Sequence, residues 1–246
     1  MKSTSKQKLN KALLIVTIVL LILCIMLSVV LGVLYEKKAT PQKLLSKLGF
    51  SGVRDVNSTL ESWESSLSQL AYDADIVFIG DSLTMGENFQ EYFPDKKIIN
   101  LGVSGDSVSG IYDRSWIISH FTPEKIFVEG GVNSLVTKSV DEVAKEYEKM
   151  VEDIAADNPE AELFIQSVLP VSRYNDNGGL TNGNIVLLNE KLKEIAAQHG
   201  ITYIDLHSAY ELSGEINHEY TRDGLHLSEE GKLVWPEVIS EYVYTN

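Results

Sequence analysis

Cysteine and basic charge are both scarce in this 246-residue sequence, and each scarcity excludes a class of protein. Cys24 is the only cysteine, so a folded domain in this chain depends on its hydrophobic core rather than on disulfide bonds. Acidic residues number 35 against 21 Lys and Arg, so the basic surface of nucleic-acid-binding proteins is missing. No histidines have a metal-ligand spacing such as His-Glu-x-x-His, and we expect neither a metal nor a dissociable cofactor.

Charge is also absent from 24 consecutive residues near the N-terminus, from Ala12 to Tyr35. About 20 apolar residues suffice to cross a bilayer as a helix, so this run predicts a transmembrane segment. The run exceeds a signal-peptide core and no Ala-x-Ala-like site follows it, which favours an uncleaved anchor. Lysines flank both ends almost equally. Because the N-terminal tail is short, we expect a single-pass cell-membrane protein with the tail inside and the C-terminal domain outside.

The distribution of charge separates this N-terminal part from the rest of the chain. Residues 1–38 hold six basic residues and one acidic residue, which leaves 15 basic and 34 acidic residues beyond them, a net of −19. We interpret the acidic balance as a solubilising surface. The predicted organisation is a tail at 1–11, the anchor at 12–35, a juxtamembrane linker at 36–57 and one domain at 58–246.

Strand and helix patterns alternate through that domain. A capping box at Ser58 predicts a first helix near 59–71. Runs of β-branched and aromatic residues predict strands at 75–80, 97–101, 125–129, 162–168 and 201–206. Apolar residues at helical spacing predict helices at 107–119, 139–157 and 184–198, the last with Asn184 and Gly200 as its caps. A final helix begins at Ser228, and Pro236 is expected to kink or split it.

This alternation predicts the fold class and the place of a site. Strands that alternate with helices imply right-handed crossovers and a mostly parallel sheet covered on both faces, which is an α/β/α fold. In such sheets, sites are built at the carboxyl ends of the strands. Polar clusters follow the first three strands or precede the final helix: Gly80-Asp81-Ser82, Gly102-Val103-Ser104-Gly105, Gly131-Val132-Asn133 and Asp223-Gly224-Leu225-His226. Each alone is typical of a turn or a helix cap, but all four together are harder to explain that way.

The four clusters resemble the four sequence blocks of the SGNH (GDSL-type) hydrolases, over roughly residues 74–243. Gly80-Asp81-Ser82-Leu83, Gly105, Asn133 and Asp223-x-x-His226 carry the match. The resemblance implies a flavodoxin-like three-layer α/β/α sandwich with five parallel strands in the order 2-1-3-4-5. It also implies ester hydrolysis through an acyl-serine intermediate. The third block usually ends in Asp, where this chain has Ser134, and we expect altered loop packing rather than lost activity.

Each matched residue has a chemical role in such a reaction. A serine hydroxyl is a poor nucleophile until a base takes its proton, which is the role expected of His226 towards Ser82. Asp223 is expected to hold the imidazole tautomer and stabilise its cation. The backbone N–H groups of Ser82 and Gly105, with the side-chain amide of Asn133, are expected to form the oxyanion hole. The resemblance supplies this geometry, because sequence spacing cannot.

The substrate is the part of the function that the sequence determines least. The polar loop at 171–183 is expected either to border the site or to be only a solvated loop. A polar loop favours removal of acetyl or other short acyl groups from a carbohydrate or cell-envelope ester. An acyltransferase acting on wall polysaccharide is an alternative, disfavoured by the single membrane helix. A non-catalytic glycan-binding module is a second, disfavoured because every catalytic position is filled. We expect no obligate protein partner.

Overall fold

The computed structural model describes residues 73–173 and 179–245. The predicted anchor at 12–35, the linker at 36–57 and the helix near 59–71 lie outside these residues. Within the described ranges, no helix combines the length and the apolar character that a bilayer crossing requires.

Five parallel strands form the central sheet, in the order β2-β1-β3-β4-β5. Their bounds are β1 Ile76–Gly80, β2 Ile98–Gly102, β3 Lys125–Val128, β4 Glu162–Gln166 and β5 Thr202–Ile204. The predicted strand order is therefore confirmed, and every predicted strand is present. The ends of β4 and β5 come two residues earlier than predicted, because apolar residues continue past each strand into the loop that follows.

Eight α-helices connect or follow these strands in the described part of the chain. Their bounds are α1 Ser82–Met85, α2 Phe89–Tyr92, α3 Val108–Arg114, α4 Val132–Leu135, α5 Val140–Asp157, α6 Asn182–His199, α7 His207–Tyr210 and α8 Glu229–Tyr244. Two 3₁₀ helices span Ser115–His120 and His218–Tyr220, so the helix predicted at 107–119 is an α-helix followed by a 3₁₀ helix. A short antiparallel hairpin, β6 Glu211–Leu212 and β7 Glu215–Ile216, was not predicted, because two-residue strands have no sequence periodicity.

Two helix predictions require correction. The N-cap of α6 is Thr181 rather than Asn184, because the Thr181 hydroxyl accepts the N–H of Asn184 and starts the helix two residues earlier. Helix α8 continues through Pro236, so the proline does not split it. Trp235 and Ile239, the residues one before and three after the proline, are fully buried in the core shared with α8, which stabilises the helix there. The predicted caps Ser228 and Gly200 are confirmed.

The sheet separates two hydrophobic cores. In β1, Val77 and Ile79 belong to the core shared with α3, α5 and α6, while Ile76 and Phe78 belong to the core shared with α8. Stacked rings at Phe78, Phe127 and Phe164 run across β1, β3 and β4 with centroids 4.8 and 4.4 Å apart. This packing on both faces fixes the positions at which the strands end.

Glycines end β1 and the neighbouring edge strand β2 at the carboxyl edge of the sheet. Gly80 of β1 pairs with Gly102 of β2. A Cβ at Gly102 would collide with the backbone of Met85, and one at Gly80 would collide with the Thr84 side chain. Helix α1, which starts at Ser82, can therefore lie directly against the strand ends.

Candidate active site

Three of the predicted residues form a hydrogen-bonded chain at this edge of the sheet. Ser82 Oγ lies 3.2 Å from Nε2 of His226. His226 Nδ1 lies 2.7 Å from Oδ2 of Asp223. This is the arrangement of a nucleophile, a base and a residue that orients the base.

The Asp223 carboxylate is organised by its own loop. Its Oδ1 accepts the backbone N–H groups of Leu225 at 3.0 Å and of His226 at 2.7 Å. Burial acts to raise the pKa of Asp223, but the hydrogen bonds from His226 and Leu225 outweigh it and hold the pKa below its ordinary value. Asp223 is therefore ionised at neutral pH, as a group facing an imidazole N–H should be.

The loop that carries Asp223 and His226 is tied down by its neighbours. The carbonyl of His226 accepts the N–H of Arg222 at 3.0 Å and the hydroxyl of Thr221 at 2.9 Å. The carbonyl of Gly224 accepts the N–H of Ser172 at 2.8 Å. These bonds hold the imidazole in place against α1.

The Asn133 amide contacts the residues next to the other two expected oxyanion donors, Ser82 and Gly105. Gly105 has a φ of +76° in the turn after β2, a conformation that suits glycine. Asn133, in α4, donates from Nδ2 to the carbonyl of Asp106 at 2.9 Å and to Oδ2 of Asp81 at 3.2 Å. Asp106 follows Gly105 and Asp81 precedes Ser82, so the Asn133 amide lies between the two turns that carry the other donors. The N–H of Ser82, in the first turn of α1, has no intrahelical acceptor.

The fully buried side chain of Arg114 contacts both the end of β1 and the turn after β2. This residue was not among those predicted from the sequence. Its Nε donates to Oδ2 of Asp106 at 2.7 Å, and its two terminal nitrogens donate to the carbonyls of Leu101 at 2.6 Å and Gly80 at 2.7 Å. Arg114 therefore links the ends of β1 and β2 to the turn that holds Gly105. Its position three residues after the buried Ile111, on the inner face of α3, was the available signal.

Two buried carboxyl groups lie beneath the nucleophile. Asp81 accepts the N–H of Leu83 at 2.9 Å in addition to the Asn133 amide. Glu129 accepts only the Thr84 hydroxyl, at 3.2 Å, and its Oε1 has no hydrogen-bond partner within the described residues. Burial raises the pKa of both groups. Because Asp81 receives more donors, we infer that Asp81 is the ionised member of the pair and Glu129 the neutral one.

The serine that replaces the usual acid of the third block has a structural role here. Ser134 Oγ accepts the N–H of Val108 at 2.9 Å, at the first residue of α3. The substitution thus joins α4, which carries Asn133, to the helix that carries Arg114.

A cavity of ≈ 180 Å³ opens beside the nucleophile. It is lined by Ser82, Leu83, Gly86, Glu87, Arg222, His226, Leu227 and Lys232. No described residue of the loop at 171–183 lines this cavity. Within that loop, Ser172 supports the Asp223 loop through its N–H, and Asn182 pairs with both backbone groups of Val171 at 2.9 and 2.8 Å. Residues 174–178 lie outside the described residues.

Among the described residues, one group has side chains placed as metal ligands would be. Glu148, Glu152 and His199 bring their ligand atoms within 4.8 Å of one another. His199 Nε2 lies 3.3 Å from Glu148 and 3.7 Å from Glu152, so contact between the side chains of α5 and α6 accounts for the arrangement. The cavity beside Ser82 contains no comparable set among its lining residues.

The GDSL-like lipase/acylhydrolase family matches residues 78–233, which include Ser82, Gly105, Asn133, Asp223 and His226. The chain belongs to this family. The resemblance seen in the sequence is thereby confirmed.

Individual relatives are similar to this chain at modest sequence identity. N-acylneuraminate cytidylyltransferase of Streptococcus agalactiae is 26% identical over 161 residues, covering 64% of this chain and 36% of that protein. This chain thus spans about a third of the length of the curated relatives it matches. A GDSL-like lipase from Bacteroides thetaiotaomicron superposes with a TM-score of 0.65 at 19% identity, over 74% of this chain and 96% of its own. An acetyl xylan esterase superposes with a TM-score of 0.58 at 19% identity, over 68% of this chain and 98% of its own.

Proposed function

We propose that this chain removes acetyl or other short acyl groups from a carbohydrate ester, with Ser82 as the nucleophile. The contact of Ser82 Oγ with His226 Nε2 at 3.2 Å, completed by the 2.7 Å contact of His226 with Asp223, carries the proposal. Because family membership assigns only the class of reaction, the residue roles are inferred from this geometry.

The first half of the reaction acylates Ser82. His226 takes the hydroxyl proton as Ser82 Oγ attacks the ester carbonyl, and the ionised Asp223 stabilises the imidazolium. The developing oxyanion accepts hydrogen bonds from the N–H groups of Ser82 and Gly105 and from the Asn133 amide. Collapse breaks the bond to the alcohol, which leaves with the proton held by His226.

The second half releases the acid. His226 takes a proton from water, which attacks the acyl-serine carbonyl, and the same donors hold the second oxyanion. Collapse returns the proton to Ser82 Oγ. This cycle requires that the oxyanion donors stay fixed throughout, which Arg114 supports through its bonds to both strand ends.

Two observations favour a short acyl group and a polar carrier. The cavity of ≈ 180 Å³ is smaller than the roughly 300–1,000 Å³ of typical ligand pockets, so a long acyl chain has little room. Charged side chains, from Glu87, Arg222 and Lys232, line it. Relatives named for an acetylated glycan or an acylated sugar, an acetyl xylan esterase and an N-acylneuraminate cytidylyltransferase, are consistent with a carbohydrate carrier.

Release of acetate tests this function. The purified full chain is expected to liberate acetate from acetylated sugars, and Ser82→Ala is expected to abolish release without changing the far-UV circular dichroism. Ser240→Ala, a half-buried serine near the end of α8, is the matched control. Release by Ser82→Ala at the normal rate would overturn the assignment. Transfer of acetyl to an added glycan, in place of acetate release, would support an acyltransferase instead.

We also propose that residues 12–35 anchor the chain in the cell membrane, with the catalytic domain outside. The uncharged run of 24 residues supports this. A reporter fused to Asn246 is expected to be active only outside the cytoplasm, and activity restricted to the cytoplasm would contradict the orientation.

A further inference from the structure

The cavity beside Ser82 differs in charge from the chain as a whole. Two cationic side chains, Arg222 and Lys232, line it, although the net charge of the sequence is −14. Arg222 is held next to the catalytic loop by its N–H, which donates to the carbonyl of His226 at 3.0 Å. Lys232 lies in the first turns of α8, whose N-terminus also favours negative charge.

The acidic residue that lines the cavity does not cancel these cations at neutral pH. Glu87 is only 5% exposed, and its Oε2 has no hydrogen-bond partner within the described residues. Burial raises the pKa of Glu87 to about 8, with Lys232 acting against that shift and Glu229 adding to it. The carboxyl of Glu87 is therefore mostly neutral at pH 7, which leaves Arg222 and Lys232 to be balanced from outside the cavity lining.

An exposed carboxylate outside that lining interacts with both cations. Glu229 Oε1 lies 2.8 Å from Nζ of Lys232, and the Glu229 side chain is 86% exposed. The hydrogen bond and charge of Lys232, together with the charge of Arg222, hold the pKa of Glu229 below its ordinary value. Arg222 and Lys232 therefore both attract the same carboxylate, that of Glu229. An ion pair so exposed contributes little stability, so a ligand can displace Glu229 at small cost.

We propose that this cavity selects esters of sugars that carry an oxyanion, a carboxylate or a phosphate, which displaces Glu229 and binds between Arg222 and Lys232. The guanidinium presents paired N–H donors that suit either oxyanion, and the ammonium supplies a second charge. The remaining charged group at this place, Asp223, is engaged by His226. The proposal rests on the proposed esterase function and adds the substrate class. Arg222 and Lys232 act as specificity residues, because they are argued to bind the carrier and not the reacting ester.

The test compares three acetylated sugars that differ in one group. Glucose, glucuronic acid and glucose phosphate, each acetylated at the same ring position, are given to the purified full chain and kcat/KM is measured from acetate release. Because hydrogen bonds to charged groups are stronger than those to neutral groups, the kcat/KM of at least one anionic ester is expected to exceed that of the neutral ester on the order of tenfold. The glucuronate and phosphate arms identify which oxyanion is preferred.

Variants then assign the preference to the cavity. Arg222→Gln and Lys232→Met are each expected to lower the ratio of anionic to neutral kcat/KM by on the order of tenfold. Glu229→Gln is expected to raise that ratio, because it removes the competing carboxylate, and a gain of this kind cannot come from misfolding. Lys191→Met, on the exposed face of α6 where Lys191 pairs with Asp141 at 2.9 Å, should leave the ratio unchanged.

Each failure has its own signature. If no sugar ester is hydrolysed, the proposed function fails, and the oxyanion proposal that rests on it is overturned with it. If anionic and neutral esters are hydrolysed with equal kcat/KM, or if the ratio is the same in all four variants, the esterase stands and the oxyanion proposal is overturned.

Discussion

At the residue scale, the side chain of Asn133 has two acceptors of unequal strength. Its Nδ2 donates to the Asp106 carbonyl at 2.9 Å and to Oδ2 of Asp81 at 3.2 Å. The longer contact is the weaker one, so we expect the hydrogen on Asp81 to turn towards the oxyanion when charge develops. Asp81 thus holds the amide at the correct angle until the substrate is attacked.

Replacing Asn133 therefore removes a donor that acts in the transition state. We expect Asn133→Ala to lower kcat by on the order of 10²–10³, with a much smaller change in KM. Steady-state kinetics on an acetylated sugar measure this split. Asn158→Ala, at the opposite end of the sheet where Asn158 bonds the Ile154 carbonyl, is the matched control and should keep both constants. An unchanged kcat in Asn133→Ala would show that the Asn133 amide does not stabilise the oxyanion.

At the element scale, α3 connects the two strand ends to the Gly105 turn through one buried cation. Arg114 satisfies the carbonyls of Gly80 and Leu101 and pairs with Asp106. Burial raises the pKa of Asp106, and the charge and hydrogen bond of Arg114 act against that shift. Removing only one partner of such a buried ion pair strongly destabilises the fold, because the other charge stays buried without a partner.

Arg114→Met tests this connection. Loss of the cation leaves the buried Asp106 charge without its ion-pair partner and removes a donor from two carbonyls, so we expect the free energy of unfolding to fall by about 3–5 kcal/mol. We also expect kcat to fall, because Gly105 loses its support. Urea denaturation and acetate release measure the two effects.

The double variant Arg114→Met with Asp106→Asn is the control for charge. It should recover part of the stability, because the unpaired carboxylate is gone, but not the full kcat. A single variant as stable as the original chain would contradict a supporting role for Arg114.

The elements that could be predicted from the sequence are those whose formation is determined by neighbouring residues in the chain. The strand β1 is a run of β-branched and aromatic residues, and α5 has a capping box at Ser139 followed by helical apolar spacing. The place of the candidate site could also be predicted, because the carboxyl ends of parallel strands lie at one edge of the sheet and the polar clusters follow those ends. Arg114 was missed because a buried arginine requires partners that only the tertiary structure supplies. The persistence of α8 through Pro236 likewise depends on tertiary packing, whereas the Thr181 cap rests on a local hydrogen bond at a segment that offers two capping residues, Thr181 and Asn184.

At the scale of the whole molecule, buried carboxyl groups tie stability to pH. Burial raises the pKa of Asp81, Asp106 and Glu129, and it raises that of Glu87 from 4.5 to about 8. At a pH between the ordinary pKa of such a carboxyl group and its raised pKa in the fold, the folded chain binds more protons than the unfolded chain. The free energy of unfolding therefore declines as pH rises through this range. Burial lowers the pKa of His207, which opposes this decline, whereas carboxyl groups with a lowered pKa, such as Glu215, oppose it only at more acidic pH.

Glu87→Gln isolates one part of this dependence. The amide cannot ionise, so the variant should lose less stability than the original chain between pH 5 and pH 8. Each unit of pKa difference corresponds to about 1.4 kcal/mol, and we expect a difference on the order of 1–3 kcal/mol from urea denaturation at the two pH values. Glu229→Gln is the control, because the pKa of exposed Glu229 is below its ordinary value and it does not titrate in this range. Equal declines in the original chain and Glu87→Gln would contradict a buried neutral Glu87.

The central claim is that the chain passes an acyl group through Ser82, and trapping the acyl-enzyme tests it most directly. The purified full chain is mixed with an activated acetyl ester, quenched in acid within the first turnover and digested for mass spectrometry. We predict one acetyl group, on the peptide containing Ser82, and none on that peptide in Ser82→Ala. An acetyl group on a different residue, with turnover that persists in Ser82→Ala, would contradict the account.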